Sequence, residues 1–294
     1  MKSRLSIALL HLFSWLPLPL MRALGALCGA IIARLDTRMA RTTHTNLALV
    51  FPELTAAERQ ALARASLRNS CQMLFEAAGT WLWPAPRALG SIERVRGFEL
   101  LQEALAAGKG VLVAGPHLGN WELLGLYLSA CGCGPSHQMF QPPADPRLAA
   151  LTYAARSRAG ANMVPTDKYG VATQLRALRA GEIVGILPDQ VPPPESGEFA
   201  PFFGIPAFTM TLLNRLQHKT GARVIAGYAK RSAKGFEICF VAPDPRIYAD
   251  DLSTALTGLN ATVEALVRQA PEQYHWEYKR FKRQPPGRVS PYQS

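Results

Sequence analysis

Two side chains within one short stretch carry the chemistry this chain can be read for. Gly110 to Gly125 runs G-V-L-V-A-G-P-H-L-G-N-W-E-L-L-G and holds His117 and Glu122. A histidine can take a proton from a hydroxyl, and a carboxylate can fix its tautomer and stabilise the imidazolium. That pairing suits acyl transfer, in which an alcohol attacks an activated carbonyl. The backbone N–H groups of Gly119 and Asn120 are then candidates to receive the oxyanion. The bland alternative is a histidine that only caps a helix, and H-x-x-x-x-E is too short a pattern to decide. Other chemistries lack their signatures. There is no H-E-x-x-H for a zinc protease, no G-x-S-x-G elbow, no G-x-G-x-x-G and no phosphate-binding G-x-x-x-x-G-K-[ST].

The elements that must position this pair follow from the spacing. On one continuous helix, five residues place two side chains about 140° apart. His117 and Glu122 can therefore meet only with the histidine in a loop and the carboxylate in the first helical turn. The sequence offers that. Val111 to Ala114 is a short apolar run ending at Gly115-Pro116, as a buried strand does at a turn. Asn120 is a good N-cap for a helix from Trp121, and a carboxylate in a first turn is favoured by the helix dipole.

Outside this stretch, strands and helices alternate. Strands are expected at 137–140, 162–164 and 183–187, separated by helices at 145–158 and 169–179. A helix at 209–219 precedes an antiparallel pair at 223–228 and 236–241, and another helix covers 252–269. This rhythm predicts an α/β fold, a single domain with a central mixed, mostly parallel sheet flanked by helices. Thr55 and Glu58 form a T-x-x-E capping box opening a long helix. Residues 188–206 read as a Pro/Gly loop beyond a strand end, where α/β proteins place binding residues. The 294 residues suffice for one large core. Hydrophobic residues make up 48% and charged ones 18%, which excludes disorder and complete membrane embedding. The net charge of +11 suggests an anionic partner. Five cysteines in no disulfide or zinc spacing read as buried hydrophobes.

Leu5 to Ile32 is mostly apolar, broken by Pro17, Pro19 and Arg22. It reads as an uncleaved N-terminal hydrophobic membrane-anchor helix, either a kinked span with Arg22 snorkelling or an interfacial segment, rather than a signal peptide. The expected division is residues 1–40 as anchor and 41–294 as catalytic domain. The tail Q-Y-H-W-E-Y-K-R-F-K-R interleaves Trp276, Tyr278 and Phe281 with Lys279, Arg280, Lys282 and Arg283. It suits a membrane interface better than single-stranded nucleic acid. His11, His44, His137, His218 and His275 lack companions at ligand spacing and read as structural.

Four blocks carry a resemblance: H-L-G-N-W-E at 117–122, P-D-Q at 188–190, F-x-P-F-F-G-x-P-A at 199–207 and P-E-Q-Y-x-W-x-x-K-R-F-K at 271–282. In that order, with T-N-L-A-L-V-F-P-E-L near residue 50, the chain resembles the bacterial lipid A late acyltransferases of lauroyl/myristoyl type. The resemblance implies transfer of an acyl chain from acyl carrier protein to a hydroxyl of a Kdo-bearing lipid A precursor. The place implied is the bacterial inner membrane, with the catalytic domain facing the cytoplasm. His117 and Glu122 match its general base and orienting partner, without cofactor or metal. Asp189 matches its acidic P-D-Q position, as substrate positioning or support of His117, against a carboxylate capping the next turn. Gln190 is expected to shape the pocket. Arg156 and Arg158 fall where the family has basic residues suited to substrate phosphates by bidentate contact; a solvated helix face is the alternative. The partners implied are the carrier, an anionic lipid and the membrane, with no nucleic acid. Phe140-Gln141-Pro142 departs from the Y-R-P common in the family and leaves an anion contact in question. The same motif would serve a lysophospholipid, ornithine-lipid or glycolipid acceptor, and a non-catalytic basic membrane-binding protein is the reading that needs no intact pair.

Overall fold

The computed structural model describes residues 2–292. Helices α1 (Lys2–Ser14), α2 (Leu18–Ile32), α3 (Arg38–Val50), α4 (Ala56–Leu82) and α5 (Ala85–Leu89) precede the sheet. Then follow β1 (Ile92–Arg96), α6 (Phe98–Ala106), β2 (Val111–Ala114), α7 (Trp121–Ala130), β3 (Ser136–Met139), α8 (Pro146–Ser157), β4 (Asn162–Val164), α9 (Lys168–Arg179) and β5 (Ile183–Ile186). A hairpin, β6 (Gly197–Phe202) and β7 (Ile205–Met210), leads to α10 (Leu212–Thr220), β8 (Arg223–Arg231), β9 (Phe236–Val241) and α11 (Leu252–Gln269).

Seven strands form one sheet in the order β1-β9-β8-β2-β5-β3-β4. Every pairing is parallel except β8 with β9, the hairpin expected from its short turn. The strands are buried because helices cover both faces. Period-two alternation divides β2 between them. Val111 and Val113 pack with Leu101 of α6 and Leu123 of α7. Leu112 and Ala114 pack with Leu178 of α9, Leu213 of α10 and Leu256 of α11.

The capping box forms as the sequence implies: Thr55 Oγ1 accepts from the Glu58 amide at 3.2 Å, and Glu58 Oε2 accepts from the Thr55 amide at 2.7 Å. The Pro/Gly loop expected over 188–206 is shorter than that, because β6 and the start of β7 lie inside it. Phe202 pairs with Ile205 across a two-residue turn, with Phe203 at φ +50° and Gly204 at φ +73°. Positive φ at both turn positions matches the right-handed twist of a hairpin.

The N-terminal expectation needs correction. Pro17 divides the apolar run into α1, of 13 residues, and α2, of 15. No helix among the described residues is long and apolar enough to cross a membrane. Arg22 does not snorkel. It is buried, its Nε lies 2.7 Å from Oε1 of Glu76 on α4, and its two terminal nitrogens donate to the carbonyls of Ser232 and Gly235. Arg231 closes on the same carboxylate from β8 at 2.7 and 2.8 Å. Gly25 and Gly29 let α2 lie directly on α4, since a Cβ at either would come within 2.6 Å of the α4 backbone.

The tail needs the same correction. Trp276, Arg280 and Phe281 are buried, and Arg280 donates 2.7 Å to the carbonyl of Phe208 and 3.0 Å to Oγ1 of Thr209. Trp276, Arg280 and Phe281 fasten the C-terminal segment to β7 and α3 rather than facing outward, while Lys282 stays exposed. All five cysteines are free, and only Cys71 and Cys239 are buried.

Candidate active site

β2 and β5 lie side by side at the centre of the sheet and run parallel, so their carboxyl ends open onto one crevice. The chain leaves β2 through Gly115 and Pro116 to His117, and leaves β5 through Leu187 and Pro188 to Asp189 and Gln190. Asp189 Oδ1 stands 2.8 Å from Nδ1 of His117, and its Oδ2 accepts from the His117 amide at 2.9 Å. One carboxylate thus fixes both the backbone and the ring of the histidine. Burial acts to raise the Asp189 carboxyl, but the adjacent His117 ring and amide outweigh it and hold the group below the ordinary carboxylate range. An ionised carboxylate only accepts, so in the neutral ring the proton is on Nδ1 and the lone pair on Nε2. That Nε2 lies 3.1 Å from Nε2 of Gln190.

The carboxylate hydrogen-bonded to the His117 ring is therefore Asp189, not Glu122. Glu122 sits in the first turn of α7, as the spacing implies, but it forms a two-pronged pair with Arg156 of α8 at 2.5 and 2.9 Å. Burial alone would lower the Arg156 guanidinium, and the Glu122 carboxylate more than restores it. Arg158 donates to the carbonyls of Ala155 and Thr80. Burial pulls its guanidinium down, and its Nε is buried without a hydrogen-bond partner. Both arginines, Glu122, His117 and Gln190 line one cleft of about 400 Å³. Both arginines hydrogen-bond to protein groups on the cleft wall, and Arg156 keeps 29% of its side chain exposed. The cleft deepens between Val113, Leu124, Leu128 and Ile186 into an apolar recess beside Gln138.

Gly119 and Asn120 have structural duties. The Gly119 amide donates 3.0 Å to the carbonyl of Gln273, and the Asn120 amide 2.8 Å to that of Ala229. Neither is free to meet an oxyanion, which corrects that expectation. Gly119 adopts φ +62°, and a Cβ there would stand 2.0 Å from the Ala229 carbonyl oxygen. Asn120 is fully buried. Its Oδ1 caps α7 by accepting from the Leu123 amide at 3.0 Å, and its amide nitrogen donates to Thr80 Oγ1 at 3.1 Å. Between His117 and Gly119, Leu118 is fully buried in the core, which anchors the loop by roughly 2 kcal/mol on the usual scale for a buried leucine.

Two neighbours of the histidine were not singled out by sequence reasoning. Trp121 and His275 stack on each other at 5.6 Å between centroids and 16° between planes, and both flank the His117 ring. The His275 amide donates 3.1 Å to the His117 carbonyl. Burial lowers the His275 ring pKa, with Glu277 opposing. Trp121 lies inside the H-L-G-N-W-E block and His275 inside P-E-Q-Y-H-W, so the signal was membership of those blocks, not ligand spacing. Gln141, at the departure from Y-R-P, lies on the cleft wall and accepts a hydrogen bond from Thr166. Among the described residues, no cluster of three side chains is suited to hold a metal ion.

The sequence pattern of the family described as bacterial lipid A biosynthesis acyltransferase matches residues 3–283. The chain belongs to that family. It is 31% identical to the lipid A biosynthesis lauroyltransferase of Escherichia coli (strain K12), over 98% of this chain and 94% of the relative. It is 29% identical to the palmitoleoyltransferase of the same strain, over 97% and 92%. The myristoyltransferase of that strain is 27% identical, over 93% and 83%. The protein is thus an acyltransferase of lipid A biosynthesis. The acyl chain differs among the names of these relatives, so likeness to them does not fix chain length.

Proposed function

We propose that this lipid A acyltransferase moves an acyl chain from acyl carrier protein to a hydroxyl of a Kdo-bearing lipid A precursor, with His117 as general base. The observation that carries this reading is the Asp189-to-Nδ1 contact, which leaves the Nε2 lone pair facing the cleft. The acceptor hydroxyl displaces Gln190 from Nε2 and gives up its proton there. Its oxygen attacks the thioester carbonyl, and the tetrahedral intermediate expels the carrier's thiolate. The proton on Nε2 then passes to that sulfur, which balances the step. Asp189 keeps the tautomer and stabilises the imidazolium, as a buried carboxylate does for a catalytic histidine. Arg158, whose buried Nε has no protein partner, places cationic charge on the cleft wall for a substrate phosphate. The Glu122–Arg156 pair, neutral overall, orients Arg156 beside it, and the cleft of about 400 Å³ receives the reacting end of the acyl chain.

The net charge of +11 suits both an acidic carrier and an anionic membrane. We read α1 and α2 as lying in the plane of the bacterial inner membrane, with residues 41 onward as a catalytic domain on the cytoplasmic side. The support is a row of exposed apolar side chains, Leu5, Leu9 and Leu12 on α1, Trp15 in the turn after it, and Leu20, Leu27 and Ile31 on α2, with Trp15 82% exposed. The deciding assay mixes labelled Kdo-bearing precursor with acyl carrier protein loaded with chains of different length, using the wild type and His117→Ala. Product from the wild type alone is the expected outcome. A fully active His117→Ala protein would overturn the mechanism, and transfer only to lysophospholipid or ornithine lipid would move the acceptor.

A further inference from the structure

A second basic site lies far from the cleft. Arg64 and Arg68 are one turn apart on α4, and Gln60 precedes them by another turn, so the three form one stripe. Arg34, just beyond α2, faces that stripe. Together with Ala30 and Ala33 these residues line a groove of about 560 Å³ whose wall holds three exposed arginines and no carboxylate. The groove exists because Gly29 brings α2 against the backbone of Arg68, where a Cβ would stand 2.5 Å away. Three arginines on one groove without a carboxylate among its lining residues, one of them Arg34, held by its Nη1 donating 3.0 Å to the Ala30 carbonyl, make a site for an oxyanion such as a phosphodiester.

Its place in the fold says which one. α2 runs antiparallel to α4: Met21 meets Gly79, Gly25 meets Gln72 and Gly29 meets Arg68. The exposed apolar row on α2, Leu20, Leu27 and Ile31, continues to Leu35 and ends beside the groove. Thr80, on the wall of the catalytic cleft, is twelve residues beyond Arg68 and sixteen beyond Arg64 on one helix, roughly 18 and 24 Å at 1.5 Å per residue. The groove is thus separate from the reacting centre, and it borders the apolar row.

We infer that the Arg34–Arg64–Arg68 groove holds the phosphate of an anionic phospholipid in the bilayer on which α1 and α2 lie. It pins the far end of the apolar face and so sets the tilt at which the cleft meets the membrane. This rests on the reading of α1 and α2 as membrane-facing.

The test is partition of the full chain onto vesicles of phosphatidylcholine alone and of phosphatidylcholine with phosphatidylglycerol. The wild type is compared with Arg34→Gln/Arg64→Gln/Arg68→Gln and with a control of equal charge change, Arg179→Gln/Arg215→Gln/Lys219→Gln, at exposed cations elsewhere. The groove variant is expected to lose about tenfold to a hundredfold in partition onto the anionic vesicles, given the usual contribution of a basic residue at such a surface. It should keep its partition onto neutral vesicles and its melting curve, and the control should stay near wild type. Equal loss in control and groove variant would overturn the site in favour of diffuse charge. Unchanged partition with weakened use of acyl carrier protein would assign the groove to the carrier. Phosphate binding lost in the groove variant, with partition unchanged, would make it a soluble-anion site. A wild type that binds neither vesicle overturns the membrane reading itself, whereas a wild type that binds both while the groove variant matches it overturns only the groove.

Discussion

Oδ1 of Asp189 lies 2.8 Å from Nδ1 of His117, across 72 residues of sequence, because β2 and β5 are neighbours in the sheet. Asp189→Asn should therefore cost catalysis far more than stability. An amide in that place can hold Nδ1 as an acceptor and present the wrong tautomer. A loss of roughly 10³- to 10⁴-fold in kcat is expected, on the precedent of such a change in a serine-protease triad. Single-turnover transfer alongside a thermal melt checks it, and activity within tenfold of wild type would remove Asp189 from the mechanism.

Glu122 and Arg156 should behave as a unit. Removing either leaves a charged group in a largely buried site, at about 2 kcal/mol for a hydrogen bond to a charged partner. The variants Glu122→Gln and Arg156→Gln are expected to lower stability and turnover by similar factors, and the double variant to lose less than their sum. A double-mutant cycle in urea and in kcat/KM tests this. Strict additivity would separate the two residues and return Glu122 to a direct role beside His117.

Gly119→Ala and Gly108→Ala form a matched pair. Both glycines have positive φ, +62° and +68°, but a Cβ at Gly108 meets nothing within 4 Å, whereas at Gly119 it strikes the Ala229 carbonyl. Gly108→Ala should cost about 1 kcal/mol, the ordinary penalty for a left-handed alanine. Gly119→Ala should cost about 2 kcal/mol more and abolish turnover, because the loop must leave β8 and take His117 with it. Denaturant midpoints and turnover of the two variants give the comparison.

His275 supplies a pH dependence. Burial lowers its folded-state pKa below the ordinary 6.5, so the folded protein resists a proton that the unfolded chain accepts. Stability is then highest above the unfolded value and falls as pH drops through 6.5 toward the folded value. Between pH 7.5 and 5 the wild type is expected to lose more in Tm than His275→Asn does. Parallel Tm curves for the two proteins would show that His275 does not carry the slope.

Local rules made part of this legible. The Thr55 capping box, the Asn120 cap and the β8–β9 hairpin depend on residues within a few positions, and each forms where the sequence places it. The partners of the charged groups did not follow, because they are set by which strands and helices become neighbours. Glu122 lies near His117 in sequence, yet its partner is Arg156 from α8, while Asp189 reaches His117 from β5. The C-terminal aromatics and cations have the composition of an interfacial segment. The burial of Trp276, Arg280 and Phe281 comes from the hairpin and α3 packed around them, which no window of the sequence contains. The apolar N-terminus has the composition of an anchor, and the ion pair from Arg22 to a carboxylate 54 residues away gives it another geometry.

That ion pair bears on how freely the front of the enzyme can be exchanged. A generic anchor is a module: one apolar helix replaces another and the cargo is indifferent. Here Glu76 is shared by Arg22 from α2 and Arg231 from the sheet, at 1% exposure, and Gly25 and Gly29 set how closely the two helices lie. A chimera with a foreign leader in place of α1 and α2 would leave half of that buried carboxylate's charge partners missing and a trench along α4 open to water. The first two helices are a keyed component of the catalytic body, and a soluble truncation would have to rebuild the lock as well as discard the key.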